Sequence, residues 1–583
     1  MRVELRATGW RTVGSAAARG LAFDGDRIVR PDELARRVGD AAADGSLESV
    51  AALTADLEGF FAAVAVVDGT AFLIADRVRS IPTYYAVGGE IVSDRGAVVR
   101  DETDAGTDPI PESEFLLTRY VTGPETVWRG VASIQPGEVV AVDDTGVRRR
   151  RYWEYWPTGR GTGSGEPIDR LRKGFETALD RLQRVADGRP VVVPLSGGHD
   201  SRLVAAGLTA RGHEVVGFTF GRSGHPDVEV SREVAARLGI RWEFYPYSAA
   251  DWSEWYHSDA CIRYRRDSFG GDALPFLAEW PAVRGLIADG RLPADALFCP
   301  GHTVATPSER LPAFAGDEAP PGAAGCASAE SGDRTPIEPT VAALVDDVLD
   351  RHYTLWEWDD EAFAAAARER IREGLLGDRS PDAVSDPETA AAAYERWEWN
   401  GRMATFTNGD LRVYEDAGVE WWLPLWDPAY IRAWARVPLA FRREKRLHTE
   451  LTAEYYRRAA DVPSGRATLT DRSLSPIDRQ LSLVRYTPER QFSERDGDWS
   501  PPFSAPRSQW GTPGNHPLGW YGAVDPGVLE TLPEDRGLYA LRTLEAVGRL
   551  DFRDPKGTTP RDGRLSLPTD SERKDAGRDD RGV

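Results

Sequence analysis

Lysine, cysteine and methionine are scarce in this sequence. Only 4 of the 72 basic residues are lysines, and the 583 residues include 3 cysteines and 2 methionines. The cysteines (Cys261, Cys299 and Cys326) are too few and too scattered for a disulfide framework or a cysteine-rich zinc site. The eight histidines show no ligand spacing such as HExxH. A metal held by protein ligands alone is therefore not expected.

Excess positive charge and long apolar runs are also missing. The 93 acidic residues give a net charge of −21, which argues against nucleic-acid binding through bulk positive charge. The best apolar run, residues 62–75, is broken by Asp68 and is shorter than the roughly 18–20 residues that span a bilayer. The N-terminus lacks an apolar signal core. The sequence predicts a soluble, cytoplasmic protein with neither a membrane nor a nucleic-acid partner.

The shortage of lysine beside an acidic surface fits a salt-adapted proteome, because carboxylates hold water and counterions well. A GC-rich coding bias would deplete lysine as well. Both explanations stay open.

The first part of the chain is rich in short strands and turns. Two apolar runs, AAVAVV and TAFLIA, are joined through Asp68 and the glycine after it, which predicts a β-hairpin. The segment GEVVAVDDTGVRRRRYW predicts another strand pair that turns between Asp144 and Gly146. A glycine-rich linker at 157–167 ends this region, so the first domain is expected to span 1–156.

Buried strands and helices alternate after the linker. Helical spacing over 168–186 precedes PVVVPL at 190–195, whose continuous apolar character is typical of a strand buried on both faces. A helix that ends near Gly212, a strand at 215–220 and a helix at 227–238 follow, and RWEFYPY is a third strand. This order indicates an α/β fold with a doubly wound parallel sheet.

The second domain is expected to extend over 168–555. Residues 307–339 are rich in proline, glycine, alanine and acidic residues and predict an irregular insertion. Residues 340–456 have a mainly helical pattern. The charged, aromatic-free stretch 556–583 predicts a disordered tail.

The segment that points to chemistry is PLSGGHDSR, residues 194–202, between a buried strand and a helix. Open α/β sheets bind ligands at this carboxyl edge of their strands. Gly197 and Gly198 permit a tight turn and a close backbone approach to an anion. The free N–H groups of the following helix favour a phosphate there, and Ser196 and Ser201 add hydroxyl donors.

Asp200 would be repelled by a phosphate unless a cation lay between them, so it implies Mg²⁺ at its carboxylate. The loop is not a Walker loop, because GxxxxGK[ST] is absent, and it is not GxGxxG. The alternative is a plain glycine-rich turn with an aspartate cap. Two serines and an aspartate around the glycines, inside a βαβ unit, favour pyrophosphate binding over that alternative.

SGGHDS resembles the SGGxDS pyrophosphate loop of the N-type ATP pyrophosphatases, and most of residues 56–456 resembles the asparagine synthetase family. EGFFAAVAV followed by ADRVRSIPTYY is similar to the glutaminase domain of that family, and IQPGEVV followed by RRYW to the end of that domain. VEWWLPLWD resembles a later segment of the synthetase domain. The resemblance implies an N-terminal αββα domain of the Ntn-hydrolase type, then an ATP-using synthetase domain with a largely helical remainder.

The same resemblance implies a reaction. A carboxylate is activated as an acyl-adenylate with release of pyrophosphate, and an amine then attacks it. ATP and Mg²⁺ are the expected cofactors, and a small-molecule carboxylate and an amine are the expected substrates. The expected catalytic residues are Asp200, which is also the expected metal ligand, Arg466 and Lys445. The expected nucleotide contacts are Leu195, Ser196, Gly197, Gly198, Asp200, Ser201, Phe220 and Gly301.

The first departure from the family pattern concerns the nucleophile of the glutaminase. That family uses an N-terminal cysteine exposed by removal of the initiator methionine, whereas here Arg2 follows Met1 and the first cysteine is Cys261. A thiolate is therefore missing, and the first domain is expected not to hydrolyse glutamine. The β-lactam synthetase branch is similar in this respect.

The second departure is an acidic loop, roughly SGEGxDE, that helps to hold Mg²⁺ in the family. The matching residues 297–310 keep Gly301 but have no carboxylate before Glu309, and His302 stands near the missing acid. The alternative for His302 is an ordinary loop histidine. Asp200 is then expected to be the only protein carboxylate beside the metal, with phosphate oxygens and water as the other ligands. The alternative is that a carboxylate from elsewhere, such as Glu309 or Asp427, completes the site.

The third departure concerns a late lysine that stabilises the developing pyrophosphate. Lys445 is the only lysine between Lys173 and Lys556, but the expected position lies further on, where Arg466 is the available cation. Arginine can stabilise charge, although its planar guanidinium differs from an ammonium. For Lys445 the alternative is a solvated helix charge, and for Arg466 a structural and a catalytic role stay open.

The sequence thus predicts an asparagine synthetase-like amide ligase, ATP-dependent and AMP-forming, which joins aspartate or a similar carboxylate to ammonia or another amine. One alternative is a β-lactam- or macrolactam-type synthetase with another substrate. A second is a degenerate nucleotide-binding scaffold, which the missing acidic loop would suit. The oligomeric state is open, a homodimer included.

Overall fold

The computed structural model describes residues 1–159, 166–316, 335–460, 518–529, 537–553 and 565. Arg466, most of the predicted insertion and almost all of the predicted tail lie outside these residues. The boundaries predicted for the linker and the two domains stay predictions.

Two β-sheets form the first domain. Its strands are β1 (Arg2–Glu4), β2 (Arg11–Val13), β3 (Ala16–Asp24), β4 (Arg27–Val29), β5 (Leu57–Val67), β6 (Thr70–Ala75), β7 (Tyr84–Ala86), β8 (Ile91–Ser93), β9 (Val131–Ser133), β10 (Glu138–Asp143) and β11 (Gly146–Arg151). Its helices are α1 (Pro31–Ala42), α2 (Leu47–Ala55), α3 (Gly96–Thr103) and α4 (Pro109–Thr118). One sheet has the order β11-β10-β6-β5-β3-β2, with β4 paired to β3, and the other has the order β1-β8-β7-β9.

The two sheets pack face to face between layers of helices. Successive side chains of a strand point to opposite faces of its sheet, so the side chains of β5 belong to two different hydrophobic cores. Val64 packs with Tyr85 of the smaller sheet, whereas Phe61 packs with Val38 of α1 on the other side. Helix α3 covers β7, β8 and β9. The predicted αββα arrangement is confirmed.

The hairpin predicted at Asp68 is also confirmed. Strands β5 and β6 pair antiparallel, with Val67 opposite Thr70. The two residues between them, Asp68 and Gly69, have φ of 49° and 85°. A two-residue turn with both φ values positive matches the right-handed twist of the strands, and aspartate followed by glycine suits it. Strands β10 and β11 form the second predicted pair, with Asp143 opposite Gly146.

The second domain contains a parallel sheet and many helices. Its strands are β12 (Val191–Pro194), β13 (Val215–Gly221), β14 (Arg241–Pro246), β15 (Leu297–Phe298) and β16 (Glu420–Trp421). The helices up to β15 are α5 (Pro167–Ala186), α6 (Asp200–Ala210), α7 (Pro226–Leu238), α8 (Ala249–Tyr256), α9 (Asp259–Ser268) and α10 (Trp280–Ala288). Every strand pair in this sheet is parallel, in the order β14-β13-β12-β15-β16. The α/β class predicted from the sequence is confirmed.

The remainder of the second domain is largely helical, as predicted. Its helices are α11 (Thr306–Glu309), α12 (Val341–His352), α13 (Glu361–Leu376), α14 (Pro387–Glu398), α15 (Leu411–Asp416), α16 (Pro428–Trp434), α17 (Leu439–Arg442), α18 (Arg446–Ala459), α19 (Pro526–Leu529) and α20 (Leu538–Ala546). A π-helical turn, Trp399–Phe406, follows α14. Helix α11 lies at the start of the predicted insertion, so those first residues are regular. Among the described residues, no helix combines the length and apolarity that crossing a membrane requires.

Candidate active site

The loop after β12 lies where the strand order of the parallel sheet reverses. The chain runs outward from β12 to β13 and β14, and returns to the other side of β12 for β15 and β16. The connections after β12 and β15 therefore leave the sheet in opposite directions. In open α/β sheets this arrangement forms a ligand-binding crevice at the carboxyl ends of the strands.

Hydrogen bonds to β13 anchor the beginning of this loop. The Leu195 amide donates to the Phe218 carbonyl at 2.8 Å, and the Thr219 hydroxyl donates to the Leu195 carbonyl at 2.8 Å. The Leu195 side chain belongs to the core, with only 3% of the residue exposed. Leu195 therefore positions the loop and leaves the next residues to face a ligand.

The turn itself is held by its own serines and by an arginine. The Ser196 amide donates to the Ser201 hydroxyl at 3.4 Å, and the Gly198 amide donates to the Ser196 hydroxyl at 3.2 Å. The buried Arg202 guanidinium donates to the Gly197 carbonyl at 3.0 Å. A hydroxyl that accepts a hydrogen bond keeps its own proton to donate. Both serines are thus placed to bind an anion such as a phosphate.

Two glycines allow close contacts that a side chain would prevent. A Cβ on Gly197 would lie 2.6 Å from the Asp227 carboxylate, and a Cβ on Gly301 would lie 2.5 Å from the Ser201 amide nitrogen. The loop after β15 therefore rests directly on the first turn of α6. Gly301 stays a predicted nucleotide contact, and its position here is against the backbone of Ser201.

Asp200 lies between two basic side chains from the end of the domain. The Lys445 ammonium donates to one carboxylate oxygen at 3.1 Å, and the His448 Nε2 lies 2.8 Å from the other. Burial alone would raise the pKa of the Asp200 carboxyl, but Lys445 and then His448 hold that pKa well below its usual range. Asp200 is therefore ionised at neutral pH, as an anion paired with the Lys445 ammonium at the edge of the loop.

Lys445 is not the solvated helix charge that the sequence left as an alternative. It is only 7% exposed, and its ammonium also lies 3.0 Å from Glu309. Glu444 and Lys445 have φ of 60° and 56°, a left-handed conformation that side chains rarely adopt. Such backbone strain persists only where the surrounding structure imposes it, and it clusters at functional sites. Here it places Lys445 on Asp200.

Glu309 changes the expected charge of the site. The sequence predicts Asp200 as the only protein carboxylate beside a metal, yet Glu309 shares the Lys445 ammonium with Asp200. The reason is that α11 carries Glu309 back to the cluster after the loop at Gly301. The single carboxylate ligand stays a prediction, and Glu309 is a second candidate for it.

The tautomer of His448 is indicated by its neighbours. Its Nδ1 lies 2.7 Å from the Tyr430 hydroxyl, which can donate to it, and its Nε2 faces Asp200. The 2.8 Å approach of Nε2 to Asp200 is an electrostatic contact without hydrogen-bond geometry. Tyr430 therefore engages Nδ1, and the ring is fully buried.

A second carboxyl, Asp227, borders the loop from the next strand. It follows the carboxyl end of β13 and its Oδ1 is buried against Gly197. Burial raises the pKa of Asp227 to about 7, and a hydrogen bond from the Gly197 backbone offsets part of that effect. Near neutral pH this carboxyl changes charge within contact of the loop.

Replacing Asp227 with asparagine should flatten the pH dependence of folding stability. The free carboxyl ionises near pH 3.8 and the folded one near 7, so between these values the folded protein binds more protons. The free energy of unfolding then falls as pH rises through this window, by up to about 1.4 kcal/mol per pH unit. Denaturant titrations from pH 4 to 8 measure that slope. Asp144→Asn, at an exposed turn, is the control, and equal slopes in both variants would contradict the account.

The other residues that the sequence analysis named make contacts of their own rather than joining Asp200 and Lys445. Phe220, the residue before the last one of β13, is half-buried and stacks on Tyr247, with ring centroids 5.5 Å apart. Asp427, which the late WWLPLWD segment contains, pairs with Arg181 at 2.9 Å and accepts from the Ala429 amide. Asp427 is therefore the N-cap residue of α16. Arg466 lies outside the described residues, so its role stays a prediction.

The donor set of the site suits a metal that also binds phosphate. Within the described ranges, no group of three or more histidine, cysteine, aspartate or glutamate side chains is placed to hold an ion. Mg²⁺ is commonly held by one or two carboxylates together with substrate phosphates and water. Asp200 and Glu309 are such a pair of oxygen donors, and in this structure both contact the Lys445 ammonium.

His448 and Asp227 are members of the site that the sequence did not predict, and Glu309 is one that it gave only as an alternative. Only Asp227 carries a usable signal, because it follows a strand of the parallel sheet just as Asp200 does. Glu309 and His448 come from helices whose approach to the loop depends on the packing of the whole domain.

Comparisons with known proteins agree with the order of the two domains. Residues 47–153 match the family model of the glutamine amidotransferase domain, and residues 170–278 match that of asparagine synthase. Over 131 residues the chain is 34% identical to asparagine synthetase [glutamine-hydrolyzing] 2 of Arabidopsis thaliana. That match covers 20% of this chain and 22% of the relative, so about a fifth of each protein is compared.

A solved structure adds little to this comparison. The glutamine phosphoribosylpyrophosphate amidotransferase from B. subtilis, complexed with ADP and GMP, aligns with 61% of this chain and 76% of its own. The identity is 10% and the TM-score 0.17, a likeness too low to carry an argument. The two family matches confirm the resemblance to asparagine synthetases: the chain carries a glutamine amidotransferase-type segment followed by an asparagine synthase-type segment.

Proposed function

We propose that this protein is an ATP-dependent, AMP-forming amide ligase. It adenylates a carboxylate, aspartate or a similar acid, and transfers the acyl group to ammonia or another amine. The observation that carries this proposal is the convergence of Lys445 and His448 on Asp200, at the loop where the sheet order reverses. The match of residues 170–278 to asparagine synthase supports the same reaction class.

Different residues of the site have different roles in the adenylation step. The amides and hydroxyls of the 196–201 turn bind the phosphates, since free N–H groups at a helix start favour an anion. The Lys445 ammonium stabilises the negative charge that develops on the departing pyrophosphate. Asp200 and Glu309 would hold Mg²⁺, which supplies charge neutralisation on the phosphates when bound.

The first domain is proposed to supply no nitrogen from glutamine. Residues 1–260 contain no cysteine, so this domain has no thiol nucleophile of its own. Cys261 and Cys299 are buried in the second domain. Burial raises the pKa of the Cys261 thiol to about 11, although Arg265 opposes the shift, and burial also raises the pKa of Cys299. Neither is a thiolate near neutral pH.

Glutamine should therefore fail as a nitrogen donor. Glutamate release from glutamine is expected at the rate of a blank without protein, whereas ammonium chloride should support amide formation. Amino-acid analysis of the reaction mixture measures both. Glutamate production that depends on this protein would overturn the proposal for the first domain and leave that for the second untouched.

The nucleotide products test the ligase proposal itself. The protein is incubated with ATP, MgCl₂, ammonium chloride and a panel of carboxylates that starts with L-aspartate, and the nucleotides are separated by chromatography. AMP and pyrophosphate, formed only with a carboxylate present, are the expected products. ADP with orthophosphate, or no turnover with any acid, would contradict the proposal.

A cytoplasmic location and a salt-adapted surface stay predictions.

A further inference from the structure

A histidine-aspartate pair stands beside the candidate active site without a role in the first step. His302 follows Gly301 in the loop after β15, and its Nε2 makes a short contact with the Asp410 carboxylate. The two side chains are 12% and 7% exposed. The other ring nitrogen, Nδ1, is buried and has no hydrogen-bond partner among the described residues.

Asp410 fixes which nitrogen of His302 carries the proton. A carboxylate accepts hydrogen bonds, so the Nε2 that it contacts is the donor and Nδ1 is left as a lone pair. The nearby Glu279 does not compete for this proton. Burial and then the charge of Asp410 raise the pKa of Glu279 well above its usual range, and the Tyr414 hydroxyl donates to Glu279 at 2.9 Å.

The pair lies next to the loop that is proposed to bind ATP. A Cβ on Gly301 would lie 2.5 Å from the Ser201 amide nitrogen, so the residue before His302 already touches the first turn of α6. The His302 ring also lies 5.6 Å from the ring of Trp426, whose segment follows β16 on the same side of the crevice. The His302 ring is therefore held beside the first turn of α6, between a carboxylate and an indole.

We propose that His302 accepts the proton of the attacking amine, with Asp410 as the residue that positions it. This inference rests on the ligase function proposed above. The amine nitrogen forms a bond to the acyl carbon, and the bond from that carbon to the AMP oxygen breaks. AMP leaves with the bonding electron pair, and the proton that the nitrogen loses moves to Nδ1. A neutral imidazole oriented by a carboxylate suits this step.

His448 cannot take this role in its present contacts. Its Nε2 lies 2.8 Å from an Asp200 oxygen and its Nδ1 lies 2.7 Å from the Tyr430 hydroxyl, so neither nitrogen has room beside it for an amine. A buried nitrogen without a hydrogen-bond partner is unfavourable, and the N–H of an amine would supply the partner that His302 Nδ1 lacks. The same position can therefore bind the amine before it accepts the proton.

The test separates the two halves of the reaction in full-length protein. Exchange of labelled pyrophosphate into ATP reports adenylation, and amide formation from ammonium chloride reports the second step. The carboxylate is the acid of the panel that gives the fastest wild-type exchange. His302→Gln should slow amide formation by roughly 10²–10⁴-fold and exchange far less. Hydroxylamine, which is unprotonated at neutral pH, should restore part of the rate.

Two further variants complete the experiment. Asp410→Asn should slow amide formation less than His302→Gln does. His213→Gln is the control, because His213 is half-buried just before β13, at the opposite edge of the sheet, with its Nε2 on the Arg189 carbonyl. Equal losses of exchange and amide formation in His302→Gln, or no loss in either, would overturn the inference about His302. The proposed ligase function would still stand. Absence of wild-type exchange with every acid would overturn the ligase function and the inference with it.

Discussion

Replacing Lys445 with methionine should slow the exchange of pyrophosphate into ATP by roughly 10²–10³-fold. Methionine keeps most of the length and volume of the side chain and removes its charge. The Lys445 ammonium lies 3.1 Å from Asp200 and 3.0 Å from Glu309, at a position that is only 7% exposed. A fixed charge in a site that excludes water stabilises developing negative charge far more than one in solvent. Initial exchange rates at saturating ATP measure the effect.

The chain offers a matched control for this variant. Lys173 lies exposed on α5, so Lys173→Met removes the same charge away from the site and should leave exchange at the wild-type rate. Thermal unfolding of both variants checks that the fold is retained. Equal exchange rates in the two variants would mean that Lys445 only pairs with Asp200 and Glu309, which contradicts its assigned role.

Replacing Asp272 with alanine should destabilise the protein by about 3–5 kcal/mol. Asp272 follows α9 in the second domain and makes a short contact with the Arg79 guanidinium of the first, and both are buried. The Tyr84 hydroxyl donates to the same carboxylate at 3.2 Å. Removing one partner leaves the Arg79 charge buried without compensation, which costs more than the pair contributes. Denaturant unfolding followed by tryptophan fluorescence measures the change.

Two controls separate the lost pair from a general effect of the substitution. Asp267→Ala removes a carboxylate from an exposed pair with Arg266, and should change stability by no more than about 0.5 kcal/mol. The double variant Arg79→Met, Asp272→Ala leaves no unpaired charge and should be more stable than Asp272→Ala alone. Unfolding of Asp272→Ala at the wild-type midpoint would show that the domains do not depend on this pair.

The features that could be predicted from the sequence are those that neighbouring residues determine. The turn at Asp68 and Gly69 needs two positive φ values, and the two residue types supply them. The parallel strand of β12 is a run of valines that are fully buried. The loop after it is fixed by two glycines, two serines and its place between a strand and a helix. Each of these signals lies within ten residues.

The parts that could not be predicted depend on contacts across the chain. Lys445 and Asp200 are separated by 245 positions, and His302 and Asp410 by 108. Lys445 reaches the loop through a left-handed backbone at Glu444 and Lys445, although neither residue is a glycine. Tertiary packing imposes that conformation against local preference. The sequence therefore identified the loop at Asp200 and named Lys445, but it missed His448 and Asp227, which also contact the loop.

The most direct test of the central claim compares the wild-type protein with Asp200→Asn. Asparagine keeps the shape of the side chain but removes the charge that Lys445 and His448 face. Labelled pyrophosphate, MgCl₂ and the acid panel are supplied with ATP, and the label that enters ATP is counted. The account predicts label in ATP for the wild type only when a carboxylate is present, and background label for Asp200→Asn. Equal incorporation by the two proteins would contradict it.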